Sequence, residues 1–212
     1  MQVEAKGVGK TFDNHTVLAD FSAVFPKGRV VALTGPSGSG KTTLLSLIAG
    51  LTKPDSGTIV IRELDGRTSL PSQRRVAWVP QGSNCLPSRT AIDNVLIGAL
   101  ARGIPFSEAA EASLSALRQV GLEQVRDQRA GSLSGGELQR VCLARAIAAG
   151  RDIILADEPS SNLDLRNTQI LGRVVADLTV AAFVIIATHD PLLIEAADVV
   201  IDVRSAIESN GE

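Results

Sequence analysis

Short apolar runs rich in β-branched residues recur along the chain at 30–34 (VVALT), 58–61 (TIVI), 75–79 (RVAWV), 152–156 (DIILA), 183–188 (FVIIAT) and 199–203 (VVIDV). Between them lie amphipathic or alanine-rich segments whose periodicity predicts helices beginning near Lys41, Thr90, Ser107, Ser134, Leu165 and Pro191. Alternation of this kind is the signature of βα units around a mainly parallel sheet, so the predicted fold class is α/β. The stretch from about Gln81 to Gly131 breaks the rhythm. It offers helical patterns ("TAIDNVLIGALAR", "SEAAEASLSALRQVGL") separated by Gly103 and Pro105, and no convincing strand. It reads as a helical subdomain inserted in the sheet domain. The final residues, "RSAIESNGE", read as a frayed end.

A length of 212 residues with 44% apolar content is enough to bury a full core and corresponds to one domain. With 21 basic against 23 acidic residues the formal net charge is −2, so no global electrostatic case exists for a nucleic-acid partner. Aromatic residues make up 3% with no tyrosine, which removes a stacking platform for single-stranded bases. The apolar runs, "AAFVIIA" at 181–187 among them, fall far short of the ~20 residues that cross a bilayer. The start "MQVEAKGVGK" lacks the apolar stretch of a secretory signal, and Cys85 and Cys142 have neither metal-ligand spacing nor disulfide density. A reducing cytoplasm is the expected compartment.

Two glycine-rich turns carry the candidate chemistry. The first, "GPSGSGKTT", fits G-x-x-x-x-G-K-[ST] between a strand and a helix, the context in which backbone N–H groups and a helix start cradle phosphate. Gly35, Pro36, Ser37, Gly38, Ser39, Gly40, Lys41, Thr42 and Thr43 are therefore candidate nucleotide-binding residues. Within that turn Lys41 bridges the β- and γ-phosphates and Thr42 offers its hydroxyl to Mg²⁺. Two acids at the end of a strand, Asp157 and Glu158 in "DIILADEPSSNLD", supply the other half of such a site. Alone they would read as a solvated corner. Beside a phosphate loop, Asp157 reads as a Mg²⁺ ligand and Glu158 as the general base for an attacking water. Gln81 follows a strand with an amide oxygen suited to Mg²⁺ or water, and His189 in "IIATHDP" is a candidate γ-phosphate contact. His15, in the polar turn "DNHT", reads as surface.

The second turn, "SLSGGELQR", contains S-x-x-E, so Ser134 and Glu137 predict a capping box at a helix start. A capping box leaves Gly135 and Gly136 unexplained, since glycine in a first helical turn costs up to ~1 kcal/mol and serves best where something approaches the backbone. A second anion, held by another copy of the chain, is the expected visitor.

In these motifs the chain resembles the nucleotide-binding subunits of ABC transporters over essentially its whole length. Gly35 to Thr43 match the Walker A loop, Gln81 the Q-loop, Leu133 to Glu137 the signature "LSGGQ", Ile153 to Glu158 the Walker B strand, Ser161 to Asp164 the D-loop and His189 the switch histidine. Phe12 stands where an aromatic stacks on adenine. The resemblance implies an ABC ATPase core with an N-terminal antiparallel β portion, its ATP-binding part at 1–81 and 152–212 and its helical part at about 82–151. It also implies ATP and Mg²⁺ as ligands, a head-to-tail dimer of two copies, and transmembrane permease partners at the cytoplasmic face of the membrane. Departures are mild: Phe12 replaces the commoner tyrosine, Glu137 the signature glutamine, and Asn162 a common alanine. "LADEPSSNLD" is similar to "LADEPTGNLD" of the lipoprotein-releasing, macrolide-efflux and haem-exporting branch, whereas importers more often read "LLDEPxSALD". That tilts the reading toward export. A regulatory subunit controlling an extracellular cell-wall hydrolase through a membrane partner is the alternative. A DNA-repair ATPase lacks support because only about fifty residues separate Gln81 from Leu133, without sustained heptads, and a ribosome-acting one would carry tandem cassettes. The stretch "SNCLPSRT" after Gln81 reads as a permease contact or an ordinary exposed loop.

Overall fold

The computed structural model describes residues 1–178 and 182–204, so the expected frayed end at 204–212 lies, but for Arg204, outside the described residues. A four-stranded antiparallel sheet is ordered β2-β1-β4-β5 and a five-stranded parallel sheet β6-β7-β8-β3-β9. The first sheet comprises β1 (Gln2–Phe12), β2 (His15–Pro26), β4 (Ser56–Arg62) and β5 (Thr68–Ser69). The second comprises β3 (Val30–Thr34), β6 (Val76–Val79), β7 (Ile153–Asp157), β8 (Phe183–Ala187) and β9 (Val199–Asp202). The helices are α1 (Lys41–Ile48), α2 (Ala91–Leu100), α3 (Phe106–Gln119), α4 (Gly135–Ala148), α5 (Leu165–Leu178) and α6 (Pro191–Glu195). Each of these starts within one residue of the position the periodicity predicts.

The parallel strands are apolar on both sides because each side meets a different core. Along β7, Ile153 and Leu155 pack with Phe183, Ile185, α1 and the antiparallel sheet, while Ile154 and Ala156 pack with Val184, Ile186, α4 and α5. Successive side chains of a strand point to opposite faces, so one buried strand feeds two cores and reads as an unbroken apolar run. The strand predicted at 58–61 belongs to the antiparallel sheet rather than to the parallel one. The run at 75–79 begins as a single 3₁₀ turn, Gln73–Arg75, capped by the Ser72 hydroxyl.

Helices α2, α3 and α4 pack on one another, with Ala91, Val95, Ala99, Ala116, Leu117 and Val141 at their centre. Asn94, fully buried on α2, fixes the segment that follows Gln81: its amide accepts from the Leu86 N–H and donates to the Leu86 and Thr90 carbonyls. No helix among the described residues is long and apolar enough to cross a membrane.

Candidate active site

The loop between β3 and α1 depends on residues without a Cβ. Gly40 has φ +93°, and a Cβ there would stand 2.8 Å from Leu18 Cδ2 and 3.1 Å from the Val17 carbonyl oxygen. The β1–β2 hairpin is thereby allowed to close against the loop. Both α2 and α4 begin with capping boxes, whereas no side chain caps the start of α1. Its first-turn N–H groups remain available for an anion. Ser39 Oγ is buried with no hydrogen-bond partner, and Lys41, 8% exposed, donates from Nζ to the Gly35 and Pro36 carbonyls at 2.8 and 3.2 Å. An anion in this cradle would meet the Lys41 ammonium, whereas Ser39, expected among the phosphate-binding residues, packs beside Gly35 and is not on the cavity wall.

The acids at the end of β7 face the same place. Thr42, on the first turn of α1, donates from Oγ1 to both carboxylate oxygens of Asp157. Burial, with a smaller push from the Glu158 charge, raises the Asp157 carboxyl above its ordinary pKa; the Thr42 hydroxyl and Lys41 pull the other way. Glu158 adopts φ +44°, a left-handed conformation uncommon for a side chain of this size, and its N–H donates to the Ala187 carbonyl at 2.8 Å. The two carboxylates have different partners, Thr42 for Asp157 and Lys41 for Glu158. Glu158 Oε1 lies 3.6 Å from Lys41 Nζ. Glu158 Oε2 lies 2.9 Å from His189 Nδ1 yet out of hydrogen-bond alignment, which leaves a buried acceptor oxygen without a donor.

Gly35, Pro36, Ser37, Gly38, Gly40, Lys41, Thr42, Thr43, Gln81, Glu158 and His189 all line one cavity of about 690 Å³. His15 and Val17 line it as well, so His15 is not the plain surface residue expected from the turn "DNHT". No local signal could have shown this, because the hairpin reaches the loop only through tertiary packing. Phe12 is not on the cavity wall; it pairs with His15 across the hairpin and has Lys10 Nζ 5.2 Å above its ring. Thr42 with Asp157, and Gln81 on the wall, form an oxygen donor set of the hard kind that suits Mg²⁺.

The second glycine turn lies elsewhere. Ser134 and Glu137 form the predicted capping box: Ser134 Oγ accepts from the Glu137 N–H at 3.3 Å, and Glu137 Oε2 accepts from the Ser134 N–H at 2.9 Å. Neither residue lines the large cavity. Gly135 lines a separate one of about 100 Å³, beside Gly82, Gln139, Ser161 and Asn162. At Gly136 an internal contact already calls for glycine, since a Cβ would fall 2.6 Å from Asn167 Cγ on α5. The chain's own Asn167 side chain is thus one reason for the missing Cβ. At Gly135 the nearest atom to an added Cβ is the Asn162 carbonyl oxygen, 3.9 Å away.

A family profile described as ABC transporter matches residues 18–161. The lipoprotein-releasing system ATP-binding protein LolD of Bacteroides thetaiotaomicron is 36% identical over 204 residues, covering 92% of this chain and 94% of the relative. The phosphonates import ATP-binding protein PhnC 1 of Natronomonas pharaonis is 37% identical over 203 residues, covering 91% and 85%. Among solved structures, the dimeric bacterial ABC transporter cassette MJ0796 superimposes with a TM-score of 0.80 at 29% identity, over 94% of this chain and 93% of that one. Phosphate cradle, paired acids, fold and relatives converge: the chain belongs to the ABC transporter family, as an ATP-binding subunit with ATPase activity.

Proposed function

We propose that two copies of this chain close head to tail around ATP, each holding one nucleotide at residues 35–43 and completing the other's site with residues 134–137, and that this cycle drives a transmembrane permease from the cytoplasmic face of the membrane. One observation carries the reading. None of Ser134 to Glu137 lines the cavity shared by Lys41, Gln81, Glu158 and His189, which favours a signature turn that touches another copy's ATP over one that touches its own. The dimeric state of the MJ0796 cassette supports it.

Within this reading Lys41 holds the β- and γ-phosphates, Phe12, at the end of the β1–β2 hairpin beyond the cavity wall, stacks on an adenine that extends out of the cavity, and Thr42, Asp157 and Gln81 would hold Mg²⁺. The metal supplies charge neutralisation on the phosphate oxygens. Glu158 Oε2, an acceptor with no hydrogen bond to give up, takes the proton of the attacking water. His189, whose side chain is 74% exposed at the cavity edge, orients the γ-phosphate from the side. Residues 82–151 act as the part that carries the signature turn to the partner. LolD among the relatives, together with "LADEPSSNLD", favours outward work such as lipoprotein release over import, which PhnC 1 represents.

The test is Glu158→Gln. Light scattering with ATP and Mg²⁺ is expected to find a stable dimer that does not turn over, reverting to monomer when nucleotide is removed. A variant that binds ATP, remains monomeric and still hydrolyses at the rate of the unaltered chain would overturn the shared site.

A further inference from the structure

The two cysteines, 57 residues apart in sequence, meet in the fold: Cys85 Sγ and Cys142 Sγ are 3.5 Å apart, both as free thiols. Cys85 lies four residues after Gln81 in the segment anchored by Asn94, and Cys142 lies at the middle of α4, two turns from the signature glycines. A covalent S–S bond is about 2.05 Å long, so the sulfurs need close only by roughly 1.5 Å.

We propose that Cys85 and Cys142 are a redox-modifiable pair whose reversible disulfide clamps the Gln81 segment to the signature helix and thereby slows the ATP cycle.

The surroundings favour the chemistry. Arg145 donates to Cys142 Sγ at 3.7 Å and also holds both the side-chain and backbone oxygens of Asn84, next to Cys85. The hydrogen bond from Cys85, helped by Asn84 and the Arg145 charge, lowers the Cys142 thiol to about 7, against the push of burial. The same pairing pushes the Cys85 thiol up. Cys142 is therefore the nucleophile and Cys85 the resolving thiol. Cys142 is buried and Cys85 only half-buried, so the approach to the pair runs past Cys85 and selects a small oxidant such as hydrogen peroxide over a bulky disulfide. The Cys142 thiolate attacks one peroxide oxygen, the O–O bond breaks, and the products are a Cys142 sulfenic acid and hydroxide. Cys85 then attacks the Cys142 sulfur, the S–O bond breaks, and hydroxide leaves with the Cys85 proton as water. In sum two thiols and one peroxide give one disulfide and two waters. Cytosolic disulfides of this transient kind are characteristic of redox sensing.

The effect on turnover rests on the proposed function, in which Gln81 faces the chain's own ATP while Ser134 faces the partner's. A bond between their supports fixes one relative to the other and opposes closure. The test treats the purified chain with hydrogen peroxide, then counts thiols after unfolding and weighs the protein. Both thiols are expected to disappear with the loss of two hydrogen atoms in mass and no covalent dimer. ATP hydrolysis is expected to fall at least about fivefold, the low end of coupling between two sites, and to recover with dithiothreitol. Cys85→Ser, which leaves the buried partner in place, should retain hydrolysis after peroxide and accumulate a sulfenic acid trapped by dimedone. Persistence of both thiols, or a disulfide that leaves hydrolysis unchanged, overturns the proposal. A chain that never hydrolyses ATP even when reduced instead overturns the proposed function, while thiol count and mass still read the disulfide.

Discussion

Thr42 Oγ1 donates to both carboxylate oxygens of Asp157, at 3.0 and 2.9 Å, joining the first turn of α1 to the end of β7 across 115 residues of sequence. Two of the three residues assigned to Mg²⁺ therefore hold each other in place. Thr42→Val keeps the side-chain shape and deletes the hydroxyl, leaving a buried carboxylate without its donor. The variant is expected to lose about 1–3 kcal/mol of stability. Its ATP hydrolysis should fall at least about tenfold and require more Mg²⁺. A magnesium titration of hydrolysis beside a thermal melt checks both. Unchanged magnesium dependence would remove Thr42 from the metal site.

Asp157 is held in the folded chain at a raised pKa, chiefly by burial. Between its ordinary value and the raised one the folded state binds more protons than the unfolded state, so this group's effect on stability becomes less favourable as pH rises through that window. Asp157→Asn removes the buried charge and still presents an oxygen to Thr42. Its melting temperature is expected to exceed that of the unaltered chain at neutral pH, and the advantage should vanish in acid below the ordinary carboxylate range. The same variant should be nearly inactive, a trade of function against stability common where charge is buried for chemistry. A melt series across pH decides it; an advantage that grows toward acid would contradict the assigned shift.

Much of this site was legible because its motifs are local. The strand, loop and helix around Lys41 are continuous in sequence, and the Ser134–Glu137 capping box follows from spacing alone. What stayed hidden depends on distant segments meeting. His15 lines the cavity only because the β1–β2 hairpin folds back on Gly40, and Cys85 meets Cys142 only through the packing of the helical part. The N-terminal strand was obscured differently. In β1 the buried apolar side chains are Val3, Ala5 and Val8, Glu4 is buried between the first two, and the register with β2 shifts between Ala5 and Val8. A bulge breaks the alternation from which a strand is read, so the antiparallel portion followed from family resemblance rather than from periodicity.

The adjacent glycines of the signature turn separate fold from function most cleanly. At Gly136 a Cβ would press on the Asn167 amide, and that amide cannot swing aside freely: its Nδ2 donates to Asp164 Oδ1 and its Oδ1 accepts from Arg140. Gly136→Ala is therefore expected to cost about 1–3 kcal/mol as an overpacked contact, and to damage hydrolysis through the fold. Gly135 is different, since its added methyl meets nothing closer than 3.9 Å and alanine suits a helix better by up to about 1 kcal/mol. Gly135→Ala should melt no lower than the unaltered chain. If the nucleotide of a second copy closes on that backbone, the same methyl stands in its way, so hydrolysis should fall at least about tenfold while the isolated chain binds ATP as before. Melting curves, hydrolysis and ATP titration of the two variants distinguish an internal packing glycine from an intermolecular one. A Gly135→Ala chain with full activity would mean that nothing approaches the signature turn, and the head-to-tail dimer would lose its contact.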